Sequence, residues 1–315
     1  MDYIFCARNI RNAVFGTDPG PTRFLEVPNA AATLHPSHAI PRRAWFDKVV
    51  AEAEVTKNPH TGRAIGDILI YVHGFNNSQA TMLERHRRIR KGLEALGYKG
   101  IVVSFDWPCA ESALNYLEDR TDAKLTAIRL VDDGIAPFSH FIDQGCEISV
   151  HILAHSMGAY VLREAFDDAD DRPAVAATSW SVSQVMLAAG DVSADSMGIS
   201  PKSSSLYRHC VRLTNYANPY DAVLSISNVK RVGVSPRVGR IGLPAVVPPK
   251  AVNVDVGIYY DDHREDFAGI PNADHSWYFY DPNFLKDVYF TMQGVIDRES
   301  IPTRFLADGK LYLRP

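Results

Sequence analysis

Glu147-Ile148-Ser149-Val150-His151-Ile152-Leu153-Ala154-His155-Ser156-Met157-Gly158-Ala159-Tyr160-Val161-Leu162 is the stretch that decides the fold. Its first half reads as a strand, because Ile148, Val150 and Ile152 are β-branched and Leu153 extends the apolar run. Its second half reads as a helix, with Tyr160, Val161, Leu162, Ala165 and Phe166 at helical spacing. Ser156 stands at the junction, with Ala154 two places before it and Gly158 two places after. A sharp strand-to-helix turn strains its central residue and pushes that side chain outward. Small flanking residues let the backbones pass closely. The hydroxyl then lies at a helix N-terminus, where backbone N–H groups favour developing negative charge. Ala154 occupies a position where glycine is usual, and it adds one methyl group. The competing reading is a plain cap at His155-Ser156 followed by a chance small residue; the rest of the chain decides between them.

Working outward, strands alternate with helices. Asp67–Val72 is a continuous apolar run, hence a buried strand. Ser78–Leu96 follows as a helix, capped by Asn77 or Ser78 and stopped at Gly97. Its basic run Arg85-His86-Arg87-Arg88-Ile89-Arg90-Lys91 reads as a solvated face, with Met82, Leu83, Ile89, Leu93 and Leu96 inward. Gly100–Phe105, Ser181–Ala189, Cys210–Tyr216 and Val252–Tyr259 are further strands, the last taken as the final core strand. Asn115–Val131 and Asp281–Gln293 read as helices, the latter with Asp281 as cap and Pro282 at its first position. Such alternation implies a mainly parallel sheet covered on both faces, a three-layer α/β/α sandwich. In such sheets functional groups collect at the carboxyl ends of the strands. Residues 1–66 open with a strand over Ile4–Val14. Gly16–Pro41 then reads as irregular chain wrapping the core, before a short helix over Ala44–Val55. The tail 296–315 carries a hairpin signal at Asp308-Gly309.

Bulk composition excludes several classes. With 46% hydrophobic and 22% charged residues, the 315-residue chain has the make-up of a soluble globular protein. A net charge of −4 gives no field for nucleic acid. No apolar run approaches the roughly 20 residues that span a bilayer. Cys6, Cys109, Cys146 and Cys210 are scattered singly, which fits reduced thiols and a cytoplasmic location. His35, His38 and the Asp261–Asp266 cluster lack metal-ligand spacing, so neither a metal nor an organic cofactor is implied. The sequence sets no oligomeric state.

A serine hydroxyl is a poor nucleophile unless a base takes its proton and a third group orients the base. Of the histidines, His155 adjoins Ser156 and points elsewhere, His209 begins a strand, and His263 sits in a charged loop. His275, in Asn272-Ala273-Asp274-His275-Ser276-Trp277, follows the last core strand and precedes the last helix; it is the expected base. For the orienting acid, Asp221 and Asp191 both follow strands. Asp221 is favoured because it heads a helix over Ala222–Ile226, with Asp191 as the alternative. His73-Gly74-Phe75-Asn76-Asn77 directly follows a buried strand, and the N–H groups of Phe75 and Met157 are the expected oxyanion donors. Gly74, Trp107 and Tyr220 are placed beside the substrate. Lys230–Pro249 reads as a loop that either covers the site or merely decorates it.

With these residues in hand, the chain resembles the α/β-hydrolase superfamily of serine hydrolases. The resemblance rests on Tyr71-Val72-His73-Gly74-Phe75, Ala154-His155-Ser156-Met157-Gly158, Asp221 and His275, in the order Ser, Asp, His. More narrowly, it is similar to a bacterial branch usually catalogued as a domain of unknown function. That likeness adds Ser104-Phe105-Asp106-Trp107-Pro108, Leu187-Ala188-Ala189-Gly190-Asp191 and Asn218-Pro219-Tyr220-Asp221. It covers about residues 67–295, leaving 1–66 as an N-terminal extension packed on the core and 296–315 as a tail. The resemblance implies the α/β-hydrolase fold and a lipase-like carboxylesterase acting on a small-molecule ester or acyl substrate through an acyl-enzyme. Acyl transfer, or thioester or amide cleavage, would use the same triad. The rival from another class is a catalytically silent binding or scaffold protein.

Overall fold

The computed structural model describes residues 1–109, 116–138, 147–176, 180–199, 204–229, 235–294 and 300–315. Twelve strands form one sheet: β1 (Asp2–Arg11), β2 (Val14–Val27), β3 (Ala39–Ile40), β4 (Glu54–Lys57), β5 (Ala64–Val72), β6 (Ile101–Asp106), β7 (Glu147–His155), β8 (Val182–Ala188), β9 (Cys210–Ala217), β10 (Ala251–Asp255), β11 (Arg304–Ala307) and β12 (Lys310–Leu313). Their order is β11-β12-β10-β9-β8-β7-β5-β6-β1-β2-β3, with β4 on the flank of β5. The run from β12 to β1 is parallel throughout; β2, β3, β4 and β11 are antiparallel additions.

Period-2 alternation feeds two cores. On β5, Ile68, Ile70 and Val72 face one core and Leu69 and Tyr71 the other. The first core is covered by α1 (Arg42–Ala53), α3 (Tyr116–Arg129) and the helix Met157–Asp171; the second by α2 (Gln79–Ala95) and the helix Pro282–Met292. This is the three-layer sandwich expected from the alternation. The caps follow chemistry: Ser78 Oγ accepts the Thr81 N–H at 3.1 Å, and Asp281 accepts the Phe284 N–H ahead of Pro282.

Three regions differ from their sequence reading. Gly16–Pro41 is not irregular, because β2 runs as a strand of 14 residues along β1. Trp45 of α1 locks this hairpin down. Its ring meets Tyr3, Phe5, Phe24, Phe46 and Phe138, and its Nε1–H reaches the Leu25 carbonyl at 3.0 Å. Such aromatic pairs contribute about 0.5–1.5 kcal/mol each beyond burial. Secondly, the strand at 251 stops at Asp255, and Gly257–Asp262 turns into a helix. It is not the last core strand either: the hairpin across Asp308-Gly309 places β12 parallel to β10. Thirdly, the basic run of α2 is not a uniformly solvated face. Arg85 and His86 are buried, and Arg87 donates to the buried Asp2 carboxylate at 2.8 Å. Burial would raise Asp2, but His86 and Arg87 bring its pKa down to about 2.

Candidate active site

Ser156 is the residue at which β7 becomes the helix Met157–Asp171, and its backbone lies at φ 54°, ψ −124°. A β-carbon is strained there. Two backbone hydrogen bonds hold the turn: Ser156 N–H to the Ala188 carbonyl at 3.0 Å, and Asp191 N–H to the Ser156 carbonyl at 2.9 Å. Gly158 is required for space, because a β-carbon would collide with the Val72 and His73 carbonyl oxygens. Ala154 is fully buried and takes its place in the β7 ladder, so the extra methyl is accommodated.

The loop after β5 comes to the same point. A β-carbon on Gly74 would stand 2.7 Å from Ser156 Cβ and 3.1 Å from His155 Nδ1, so only glycine lets this loop touch the elbow. Phe75 is half-buried against the first core, and Met157 is the first residue of its helix. First-turn N–H groups lack partners within their own helix. Behind the loop, His73 Nδ1–H donates to the Gly74 carbonyl at 2.8 Å and its Nε2 accepts the Trp107 N–H at 3.2 Å, with Asp106 Oδ1 also 3.2 Å from Nε2. Trp107 is completely buried, stacked on His73 with its Nε1–H on the His73 carbonyl at 2.8 Å. The expectation that Trp107 borders substrate is therefore corrected: its indole holds the loop from behind, because its one polar atom finds a backbone partner inside.

His275, in the short helix Ala273–Ser276, meets Asp221, which follows β9. His275 Nδ1 is 2.7 Å from Asp221 Oδ2, and Asp221 Oδ1 accepts the Leu224 N–H at 2.9 Å. A carboxylate accepts, so Nδ1 carries the proton in this contact. Ser156, His275 and Asp221 are all buried. Ser156 Oγ and His275 Nε2 share no hydrogen bond in this structure; such contacts often tighten only around substrate. The link between elbow and histidine loop runs through His155. Its Nε2–H donates to the His275 carbonyl at 2.8 Å, and the two rings lie 4.8 Å apart. Burial, and then the neighbouring His275 and Arg85, push the His155 imidazole well below its ordinary pKa, so it stays neutral.

Residues that sequence reading missed hold the His275 loop. Asn218 Nδ2 donates to the Asp274 carbonyl at 2.8 Å, the Ala222 N–H donates to Asp274 Oδ2 at 2.6 Å, and Arg85 Nη2 donates to Ser276 Oγ at 3.0 Å. Asn218 already stood out beside Asp221 in the sequence; Arg85 gave no signal, since it sits in a basic run.

Asp191 is elsewhere engaged. Arg237 Nε lies 2.8 Å from Asp191 Oδ1, and both side chains are buried. The loop that carries Arg237 is stitched over the ends of β8 and β9, through Val238 N–H to Val192, Gly239 N–H to Gly190 and Asn218 N–H to Gly239. Within residues 235–249 the Lys230–Pro249 segment is thus bonded to the strand ends; residues 230–234 lie outside the described ones. Tyr220 is largely exposed beside Asp221, 6.3 Å from Tyr260 and under Arg264.

Among solved structures, the chain is similar at 10% identity to esterase B from Lactobacillus rhamnosis, with 72% of this chain and 78% of that chain covered and a TM-score of 0.35. A metagenome-derived lipolytic enzyme of the LipS and LipT study matches at 11% identity over 64% of this chain and 89% of its own, with a TM-score of 0.34. The Trichoderma reesei cutinase matches at 10% identity, covering 69% of this chain and 72% of its own, with a TM-score of 0.29. No curated protein matches the sequence. A family model described as alpha/beta hydrolase of unknown function matches residues 49–282, and with that match spanning well over half its length the chain belongs to this family, DUF900.

Proposed function

We propose that the protein is a serine hydrolase that cleaves a small carboxylic ester. Ser156 Oγ attacks the carbonyl carbon while its proton passes to His275 Nε2. Asp221, bonded to Nδ1, keeps the ring in the required tautomer and stabilises it once charged. The N–H groups of Phe75 and Met157 receive the oxyanion, with Gly74 giving the carbonyl oxygen room to approach. Collapse expels the alcohol, which takes the proton from His275, and leaves an acyl-Ser156. Water then attacks that ester with His275 again as base, releasing the acid and restoring the serine. Tyr220, exposed beside Asp221, is assigned to the rim where the substrate enters.

The observation that carries this reading is the strained elbow serine, joined through its neighbour His155 to a buried His275–Asp221 pair. Labelling with a fluorophosphonate probe tests it. The wild type is expected to react, and Ser156→Ala to fold without reacting. A folded, unlabelled wild type would remove the hydrolase reading in favour of a binding protein. A p-nitrophenyl ester series of increasing chain length then measures the acyl pocket.

A further inference from the structure

Far from the elbow, a cleft of about 430 Å³ opens between the β2–β3 hairpin and the end of α3. Thr22, Arg23 and Phe24 of β2, Arg42 of α1, and Arg129 and Asp133 at the end of α3 border it. Arg23, Arg42 and Arg129 thus border the cleft together with one carboxylate, whose Oδ2 accepts the Thr22 hydroxyl at 2.6 Å. Elsewhere Arg8, Arg87, Arg163, Arg172 and Arg304 each hold a carboxylate within 3.0 Å. Among the described residues, Arg23, Arg42 and Arg129 have none within 4.0 Å. Arg23 Nη1 meets only the Pro21 carbonyl at 3.1 Å, and Arg129 Nη1 meets only the Thr22 hydroxyl, at a long 3.5 Å. Arg129 Nε is buried without any partner. Arg42 is pre-positioned by the rings of Phe24 and Phe46, 5.9 and 5.6 Å from its guanidinium carbon.

Planar guanidinium forks with unused N–H donors match the tetrahedral oxygens of a phosphate better than any neutral ligand. A cluster in which three cations outnumber one carboxylate also opposes folding unless an anion joins it. We infer that this cleft is a binding site for a phosphate monoester group, held chiefly by Arg129 and Arg42 with Arg23 at its border. Phe24 and Ile40 supply an apolar wall for the esterified carbon. The site is separate from the elbow. Arg23 lies in register with Cys6, and Cys6 with Asp106, so the cleft shares the carboxyl edge of the sheet. It stands four strands from β7, roughly 19 Å at ~4.8 Å per strand. A small ester cannot bridge the two, so the phosphate ligand is a second molecule and the inference does not depend on Ser156 chemistry.

Isothermal titration of the full chain with inorganic phosphate and with phenyl phosphate, at ionic strength matched by potassium chloride, tests it. Saturable binding of both is expected, tighter for phenyl phosphate. Arg129→Gln and, at the more exposed flank, Arg23→Gln should each weaken it about tenfold or more, as loss of a charged hydrogen bond does. Unchanged far-ultraviolet circular dichroism would show that each variant folds. Flotation with phosphatidylcholine vesicles containing phosphatidic acid separates a lipid headgroup from a soluble ester as the source. Heats no larger than those from chloride, or binding by Arg23→Gln and Arg129→Gln equal to that of the wild type, would overturn the assignment.

Discussion

Two buried histidine–aspartate pairs flank the elbow, and they are wired differently. His73–Asp106 and His275–Asp221 lie at 3.2 and 2.7 Å. Asp106 also takes Arg8 Nε on both oxygens, at 3.0 and 2.9 Å, and the Cys6 thiol at 3.1 Å. Its charge is therefore already balanced, and both His73 nitrogens are consumed by neighbours. Among the described residues, Asp221 has no Arg or Lys within 4.0 Å and His275 Nε2 has no hydrogen-bond partner. A histidine beside a carboxylate acts as a base only if the carboxylate's charge is still uncommitted and one ring nitrogen is still open. That contrast supports the proposal that His275 transfers the proton, while His73 holds the loop that carries Gly74.

The sharpest way to break this contrast is to neutralise each acid in turn. Asp221→Asn should lower kcat by about 10⁴, the usual consequence of presenting the wrong tautomer, with folding intact. Asp106→Asn should leave measurable turnover and fluorophosphonate labelling. Equal losses in the two would abolish the distinction. Next in size, Arg8→Met strips Asp106 of its cation in a buried site and should destabilise by about 3–5 kcal/mol in urea unfolding. A loss below 1 kcal/mol would mean that His73 balances Asp106 unaided.

His155 gives a smaller effect. His155→Leu removes the donor to the His275 carbonyl, and kcat should fall by about 10² as the base drifts, with KM little changed. His155→Gln keeps an N–H near Nε2 and should recover most of the rate; failure of that rescue would reduce His155 to packing. Smallest is the acid response. Burial alone would raise the Asp106 carboxyl, but Arg8 and His73 hold it below the ordinary range. A carboxyl depressed in the folded state contributes stability that is complete above the unfolded pKa of about 3.9. That contribution is lost as pH falls through the folded value. Asp106→Asn should accordingly flatten the decline of the urea midpoint below about pH 4.

The strand-to-helix turn at Ser156 and the sandwich were legible because each rests on local signals: apolar runs, small residues at fixed offsets, caps. What escaped was non-local. β2 contains Pro19, Gly20 and Pro21 and so reads as turn, yet its outer neighbour β3 pairs only at Phe24 and Leu25. Its prolines face an open edge where no ladder hydrogen bond is needed. Asp2 and Arg87 are 85 positions apart, and no window of sequence joins them. Asp221 and Asp191 looked alike because both follow strands; Arg237, 46 positions beyond Asp191, separates them by occupying one.

The dihedral angles of Ser156 belong to glycine's territory, and holding any side chain there costs of order 1–3 kcal/mol. Were thermal endurance the only demand on this chain, glycine would be the better residue at 156. A Ser156→Gly protein should melt at a higher temperature than the native one while reacting with no fluorophosphonate. On the proposed chemistry, the position is one where durability and reactivity pull in opposite directions, and this sequence keeps the side chain that the chemistry needs.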